Sequence, residues 1–349
     1  MGDDKQPAQA VGEGQTNLAG VDAGTPSGTT APKRDRLTEV VAEIELIDRE
    51  TAETVERIGK LYGVERSYAL ITGIEGETVD TAFDALRPKD GAPELTRSLA
   101  VVVDSPGGDI HSAYNLACLF RRYATERLLF IVPRWAKSAA TLLVCGGDVV
   151  AMTPVAELGP LDPQLSVYDG TEGRHENFSP LHIESTLELI RQEFETGDRD
   201  LAEALVRRLQ FPMTLGSYTK LLEVGEDYAR KLLGSRMFKQ KTGGKDTSKI
   251  AKNIVKGYPD HGCCIHCEEA DGIGLRVELV PTGPKLDAVW SINRLMRRRD
   301  KLDDERKRLE MSRDIKNLPP ELLDRLPGTP DAFDGAGRNR RAEDRGVRR

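Results

Sequence analysis

Residues 98–120, SLAVVVDSPGGDIHSAYNLACLF, and residues 127–152, RLLFIVPRWAKSAATLLVCGGDVVAM, decide the fold. Each opens as an unbroken apolar run, breaks at proline, glycine or serine, and resumes with the spacing of a helix. An uninterrupted apolar run bounded by turn residues reads as a strand buried on both faces, the kind that builds parallel sheets. SLAVVVDS (98–105), RLLFIVP (127–133) and DVVAMTP (148–154) are three such strands. PGGDIHSAYNLACLFRRYA (106–124) and SAATLLVCGG (138–147) are the helical returns between them. Strands alternating with helices in this way imply right-handed crossovers and a parallel sheet covered on both sides, so the fold class is α/β.

Working outward, SYALITGI (67–74) reads as a further strand, followed by a polar segment of helical character. In residues 37–62, Val40, Val41, Ile44, Ile47, Val55, Ile58 and Leu61 recur at helical spacing among charges, which predicts a long amphipathic helix packed on the core or on a second subunit. Downstream, SVYDGTEGRHENF (166–178) is too hydrophilic for core and reads as a polar loop. A helical region then spans 179–235, with Ser179 placed as N-cap and Pro180 at the first helical position. GCCIHCEEADGIGLRVELV (262–280) predicts a strand, a short helix and a strand, and 284–311 a charged helix. Residues 1–36 and the Arg-rich stretch 317–349 hold too little apolar surface to offset their ordering entropy, and are expected to be disordered. The domain reading is therefore an arm (1–36), an amphipathic helix (37–64), a main domain (65–282), a charged helix (283–316) and a tail (317–349).

A formal net charge of -7 argues against nucleic acid as the main partner. Basic residues do concentrate in RLMRRRDKLDDERKRLE (294–310) and in the tail, which reads either as a solvated helix face or as a site for an acidic partner. No basic start leads into an apolar core, and no run of about 18 apolar residues occurs. A soluble, cytoplasmic chain without a transmembrane segment is the expectation. Five cysteines, an odd number with three crowded into CCIHC (263–267), point to reduced thiols. Cys263, Cys264, His266 and Cys267 are all zinc-ligand types, but neighbours on a strand point to opposite faces and no second motif completes four ligands, so neither metal nor cofactor is expected.

Two turns at the carboxyl ends of neighbouring strands stand where open α/β sheets place their sites. In DSPGGDI (104–110), Gly107 and Gly108 can leave amide N–H groups unshielded at a helix start, able to hold an oxyanion. In WAKSAATLL (135–143), Ser138 lies between strand and helix, in the positive field of the helix N-terminus, with the Ala139 amide as a second oxyanion donor. Taken alone, Ser138 is either a helix cap or a nucleophile.

Together, VVVDSPGGDIHSAYNLACLF, RLLFIVPRWAKSAATLLVCGGDVVAM, AELGPLDPQL and YPDHGCCIHCEEADGIGL resemble the serine dehydrogenase proteinase family, within the Clp-protease/crotonase superfamily alongside signal peptide peptidase A and the Clp proteolytic subunit. The resemblance covers about residues 65–280 and rests on four motifs in order. It implies a spiral of β-β-α units, Ser138 as nucleophile, and an oxyanion hole from Gly107 or Gly108 with Ala139. It also implies self-assembly into rings or smaller oligomers, with helices 179–235 as the oligomerisation and lid region.

The chain departs from the Clp pattern at the base. AELGPLDPQL holds no histidine, and the nearest polar side chains there are Glu157 and Asp162. One repair makes His261, in YPDHGCC, the base with Asp162 orienting it, since triads recur in different chain orders. The other makes a buried lysine of lowered pKa the base, either Lys220 or Lys256. Lys137, next to Ser138, is expected to be mainly exposed; His111 faces solvent or core, and His182, near the polar loop like His175, is a minor candidate. The reading is a serine hydrolase acting on peptides or proteins and assembling as a homo-oligomer. A catalytically silent assembly protein is the alternative, and a crotonase-like acyl-thioester enzyme a second.

Overall fold

The computed structural model describes residues 35–87, 95–162, 165–169, 174–178, 180–208, 215–239 and 246–316. The sequence expectations for 1–34 and 317–349 lie outside the described residues. The first helix, α1 (Arg36–Tyr62), starts inside the expected arm, because Arg36 reaches Glu43 at 3.2 Å and Glu305 at 2.9 Å. It ends at Gly63, which adopts φ 64° and donates its N–H back to the last turn.

The chain continues through β1 (Arg66–Leu70), α2 (Gly76–Leu86), β2 (Thr96–Val103), α3 (Ile110–Tyr123), β3 (Ala124–Val132), β4 (Trp135–Ala136), α4 (Ala139–Val144), β5 (Val149–Met152) and β6 (Glu157–Leu158). It then forms β7 (Leu165–Asp169), β8 (Arg174–Phe178), α5 (Pro180–Thr196), α6 (Arg199–Arg208), α7 (Leu215–Ser235), α8 (Thr247–Lys256), α9 (Cys267–Ile273), β9 (Val277–Leu279) and α10 (Pro284–Lys316).

Strands β1-β2-β3-β5-β9 form one parallel sheet in that order. Because side chains alternate across a strand, the apolar runs supply two cores at once. Leu99, Val101 and Val103 of β2, with Leu128, Phe130 and Val132 of β3, face α3, α4, α7 and α8. Ala100, Val102, Leu129 and Ile131 face Val55 and Ile58 of α1 and Val289 and Ile292 of α10. Burial on both sides is why these runs carry no polar residue.

A second, smaller set of pairings crosses the ends of the main strands. Ser105 bridges Ala136 in parallel, β4 pairs with β6, and Leu158 bridges Ile265. Strands β2 and β3 thus each continue into a short crossing segment before a helix, as β2–Ser105–α3 and β3–β4–α4. This is the spiral of strand–strand–helix units expected above.

Three expectations need correction. Residues 166–178 are not a plain loop: β7 and β8 pair antiparallel, Ser166 opposite Asn177 and Tyr168 opposite His175. An alternating polar strand that pairs only with its neighbour in a hairpin needs no apolar run. Around 262–266 a single bridge at Ile265 replaces the expected strand. Within 179–235, α5 and α6 leave Leu189, Phe194, Leu201 and Val206 exposed, but α7 is core, with Leu222, Ala229, Leu232 and Leu233 fully buried. The basic run on α10 lies antiparallel to α1, where Arg298 and Arg299 meet Glu43 and Asp48.

Candidate functional site

Ser138 connects β4 to α4 with φ 50° and ψ -120°, the sole positive φ among described non-glycine residues. Such a conformation costs an L-residue roughly 1–3 kcal/mol and persists where the surroundings over-determine it. Although the residue occupies the N-cap position, its side chain makes no capping hydrogen bond. Strain without the compensating cap bond removes the ordinary reason for serine here.

The surroundings do over-determine it. Ser105 N–H donates to Trp135 O at 3.0 Å, and Lys137 N–H donates to Ser105 O at 3.0 Å, fixing the chain on the N-terminal side of Ser138. On the other side, the buried Thr141 hydroxyl lies 2.7 Å from Ala136 O and 2.8 Å from Gly159 O, and accepts from Gly159 N–H at 3.0 Å. This strut ties α4 to β4 and to the segment after β6.

The glycine turn packs directly on the serine. Gly107 and Gly108 adopt φ 101° and 145°. A Cβ on Gly107 would lie 2.6 Å from Lys137 O, 2.9 Å from Ser138 Cβ and 3.0 Å from Ala139 N; one on Gly108 would lie 2.2 Å from Ile74 O. Only glycine meets both the dihedral and the space requirement. The turn is clamped to Ile74, whose N–H donates to Gly107 O (2.8 Å) and whose carbonyl accepts from Asp109 N–H (2.7 Å). Asp109 then caps α3 by accepting from Ser112 N–H at 2.7 Å.

Of the three amides singled out in the sequence, Gly107 N–H is already donated to Ser105 Oγ at 3.1 Å. The N–H groups of Gly108 and Ala139 have no acceptor among the described residues. Two unspent amides beside a strained, half-buried serine form an arrangement that could receive an anionic oxygen.

Beside Ser138 lies an ionic cluster that sequence reasoning missed. Lys137 is not mainly exposed: its side chain is 19% accessible, and its Nζ lies 2.9 Å from Glu157 Oε2 and 3.3 Å from both Cys263 O and Cys264 Sγ. Glu157 also accepts from Arg134 (2.6 Å) and from Cys264 Sγ (3.0 Å). Burial alone would raise the Glu157 carboxyl, but Cys264, Arg134 and Lys137 outweigh it and hold the pKa at about 2. Glu157 is therefore an anchored anion rather than a proton acceptor, and it commits the Lys137 ammonium.

The base candidates come from different stretches of the chain. His261 sits in the turn at 261–262, two residues before Cys263, whose carbonyl touches Lys137; its Nδ1 is buried and has no hydrogen-bond partner among the described residues. Asp162 is 1% exposed, on a segment held to α8 by Leu161 N–H donating to Ile254 O at 3.0 Å. Lys256 ends α8, its Nζ 3.9 Å from Glu226, and Lys220 is exposed on α7, without the buried surroundings the lysine reading requires. His111 Nδ1 lies 3.1 Å from Tyr228 Oη. The side chains of His175 and His182 lie outside the described residues. Cys267 is buried while Cys264 is exposed at Glu157, so the CCIHC thiols do not converge.

Comparison with known proteins finds no matching family model. Uncharacterized protein MJ0137 of Methanocaldococcus jannaschii is 25% identical over 203 residues, 58% of this chain and 60% of that protein. A second uncharacterized protein of the same organism, MJ1495, is 20% identical over 200 residues, 57% of this chain and 58% of that protein. The chain thus spans about three fifths of the length of these curated relatives. Among solved structures, a 1510-N membrane-bound stomatin-specific protease aligns at TM-score 0.37 and 15% identity, covering 61% of this chain and 78% of the other. The ClpP protease catalytic domain from Plasmodium falciparum aligns at TM-score 0.23 and 19% identity, covering 27% and 53%. Among the described residues, no helix is long and apolar enough to cross a membrane.

Proposed function

We propose that the chain is a serine hydrolase that cleaves peptide bonds through an acyl-enzyme on Ser138. The observation that carries the reading is the strained Ser138 with no cap bond, packed against a glycine turn beside the unspent N–H groups of Gly108 and Ala139. In this reading a base removes the Oγ proton as oxygen attacks the scissile carbonyl. The two amides hold the resulting oxyanion, and the protonated base gives its proton to the departing amine. Water then repeats the sequence on the ester. His261 is assigned as base and Asp162 as its orienting acid, since the His261 Nδ1 is uncommitted while Lys137 is held by Glu157. An extended substrate is placed beside the glycine turn, where added main-chain hydrogen bonds would align it. The exposed apolar residues of α5 and α6 fit a homo-oligomeric assembly.

A second reading, a catalytically silent assembly protein, is favoured by one observation. Among the described residues the recorded hydrogen bonds engage Thr141, Lys137 and Ser105, and none reaches Ser138 Oγ.

A fluorophosphonate probe followed by peptide mass spectrometry separates the two. The expected result is an adduct on Ser138, absent in Ser138→Ala and formed about 100-fold more slowly in His261→Ala. Full-rate labelling of His261→Ala would remove His261 from the mechanism. Absence of any Ser138 adduct would overturn the hydrolase reading itself.

A further inference from the structure

The strand ends opposite Ser138 carry a cleft of about 720 Å³, built where α3 ends and β3, β5 and β9 begin. Its cations come from three separate stretches of chain: Arg121 and Arg122, Arg236 and Lys239, and Arg276. Glu126 and Asp148 are the acidic residues on its walls.

These charges are not mutually neutralised. Asp148 is spent on the framework, its Oδ2 accepting from Leu128 N–H at 2.7 Å and from Arg236 Nε at 3.0 Å. Arg236 also donates to Ala124 O at 2.6 Å, so this pair stitches the end of α7 to the start of β3. That leaves Arg121, Arg122, Lys239 and Arg276, which form no ion pair among the described residues, facing the single carboxylate of Glu126. The Arg276 guanidinium is steadied over the Phe238 ring, 5.8 Å from its centroid.

Arg121 is the informative member. Its Nε is buried and has no acceptor among the described residues. Arginines in the last turn of a helix complement the helix dipole. That role does not require the convergence of Lys239 and Arg276 from distant segments. Several separated cations around one cleft also match an anion whose charge is spread along a chain. Guanidinium forks fit phosphoryl oxygens in pairs.

We propose that this cleft binds an oligophosphate, either free or as the phosphate chain of a nucleotide. The site is at the opposite ends of the strands from Ser138 and does not depend on the hydrolase reading. Calorimetric titration of the full chain with sodium tripolyphosphate and, separately, with ATP tests it, using sulfate at matched ionic strength as control. Both are expected to bind at least tenfold more tightly than sulfate. Equal affinities assign recognition to the phosphate chain, and tighter ATP assigns it to a nucleotide.

Arg122 and Arg276 are exposed, so the double variant Arg122→Gln/Arg276→Gln is expected to fold with an unchanged unfolding temperature while losing at least tenfold in affinity. Cys118 lines the cleft, and its alkylation, followed by peptide mass spectrometry, is expected to slow when tripolyphosphate is bound. Affinity no greater than that of sulfate, or undiminished in the double variant, would overturn the proposal.

Discussion

The two halves of the candidate site are built differently. On the nucleophile side, Ser138 and the glycine turn are fixed by main-chain hydrogen bonds between stretches remote in sequence: Ile74 with Gly107 and Asp109, and Ser105 with Trp135 and Lys137. On the other side, the turn carrying His261 is held by local bonds, Gly262 N–H to Asp260 Oδ1 at 2.7 Å and Cys263 N–H to Asp260 O at 3.2 Å. Asp260 and Gly262 are exposed, and His261 Nδ1 bonds to nothing described. Backbone geometry that many remote bonds determine is rigid before substrate arrives. A side chain on a locally held turn is free to be oriented by it.

Exchanging glycine for alanine in each half puts the contrast to its hardest test. In Gly108→Ala the new Cβ meets Ile74 O at 2.2 Å at a φ of 145°, and neither partner can yield because both belong to clamped backbone. The expected cost is about 3 kcal/mol or more, read by chemical denaturation, with loss of Ser138 labelling. In Gly262→Ala the new Cβ meets only the mobile end of Asp260, Oδ1 at 2.9 Å, so a cost below about 1 kcal/mol is expected. Equal costs in the two variants would erase the distinction.

The same distinction governs what could be read from the sequence. SLAVVVDSPGGD and RWAKSAATLL announced strands, turns and the serine because the constraints there are local: apolar runs, glycines at turns, a helix start. Thr141 gave no such signal. A threonine inside SAATLL looks like any helical residue, and its partners Ala136 and Gly159 are identified only once β4 and β6 lie side by side. Glu157 was visible as a polar residue, but its three partners come from residues 134, 137 and 264. The β7–β8 hairpin escaped because its polar alternation resembles loop composition, and pairing rather than burial makes it a strand. The basic cleft escaped for a similar reason, its cations being ordinary surface residues until three segments converge.

Thr141 offers a subtler way to loosen the rigid half. Thr141→Val preserves shape but leaves the buried Gly159 N–H without its acceptor and removes the donor to the Ala136 and Gly159 carbonyls. A loss of about 2–3 kcal/mol is expected, seen as a fall of roughly 5–10 °C in unfolding temperature. Labelling of Ser138 should slow without being abolished, since the ladder from Ser105 to Trp135 and Lys137 remains. An unchanged unfolding temperature would mean that the strut contributes nothing to holding α4.

Asp104 gives the smallest expected effect and the one with a pH signature. It precedes Ser105, is 8% exposed, and has an Oδ1 without a partner among the described residues. Burial raises its pKa to about 7, while the backbone bond to Trp135 and the charge of Arg134 pull the other way and Asp300 adds to the rise. Because the folded value is above the unfolded one, Asp104's contribution to stability is complete near pH 4 and is lost as pH rises through about 7. Asp104→Asn stays neutral throughout. Its unfolding temperature relative to wild type should therefore climb by roughly 3–6 °C between about pH 5 and pH 8. Asp104 accepts from Trp135, whose carbonyl anchors Ser105, so the desolvation cost of its charge falls on the nucleophile side. Amide exchange should accordingly quicken with pH at Ser105 and Lys137 beyond the intrinsic rate, and not at Gly262 or Cys263. A pH-independent difference between variant and wild type would place the burden of that buried carboxyl elsewhere in the fold.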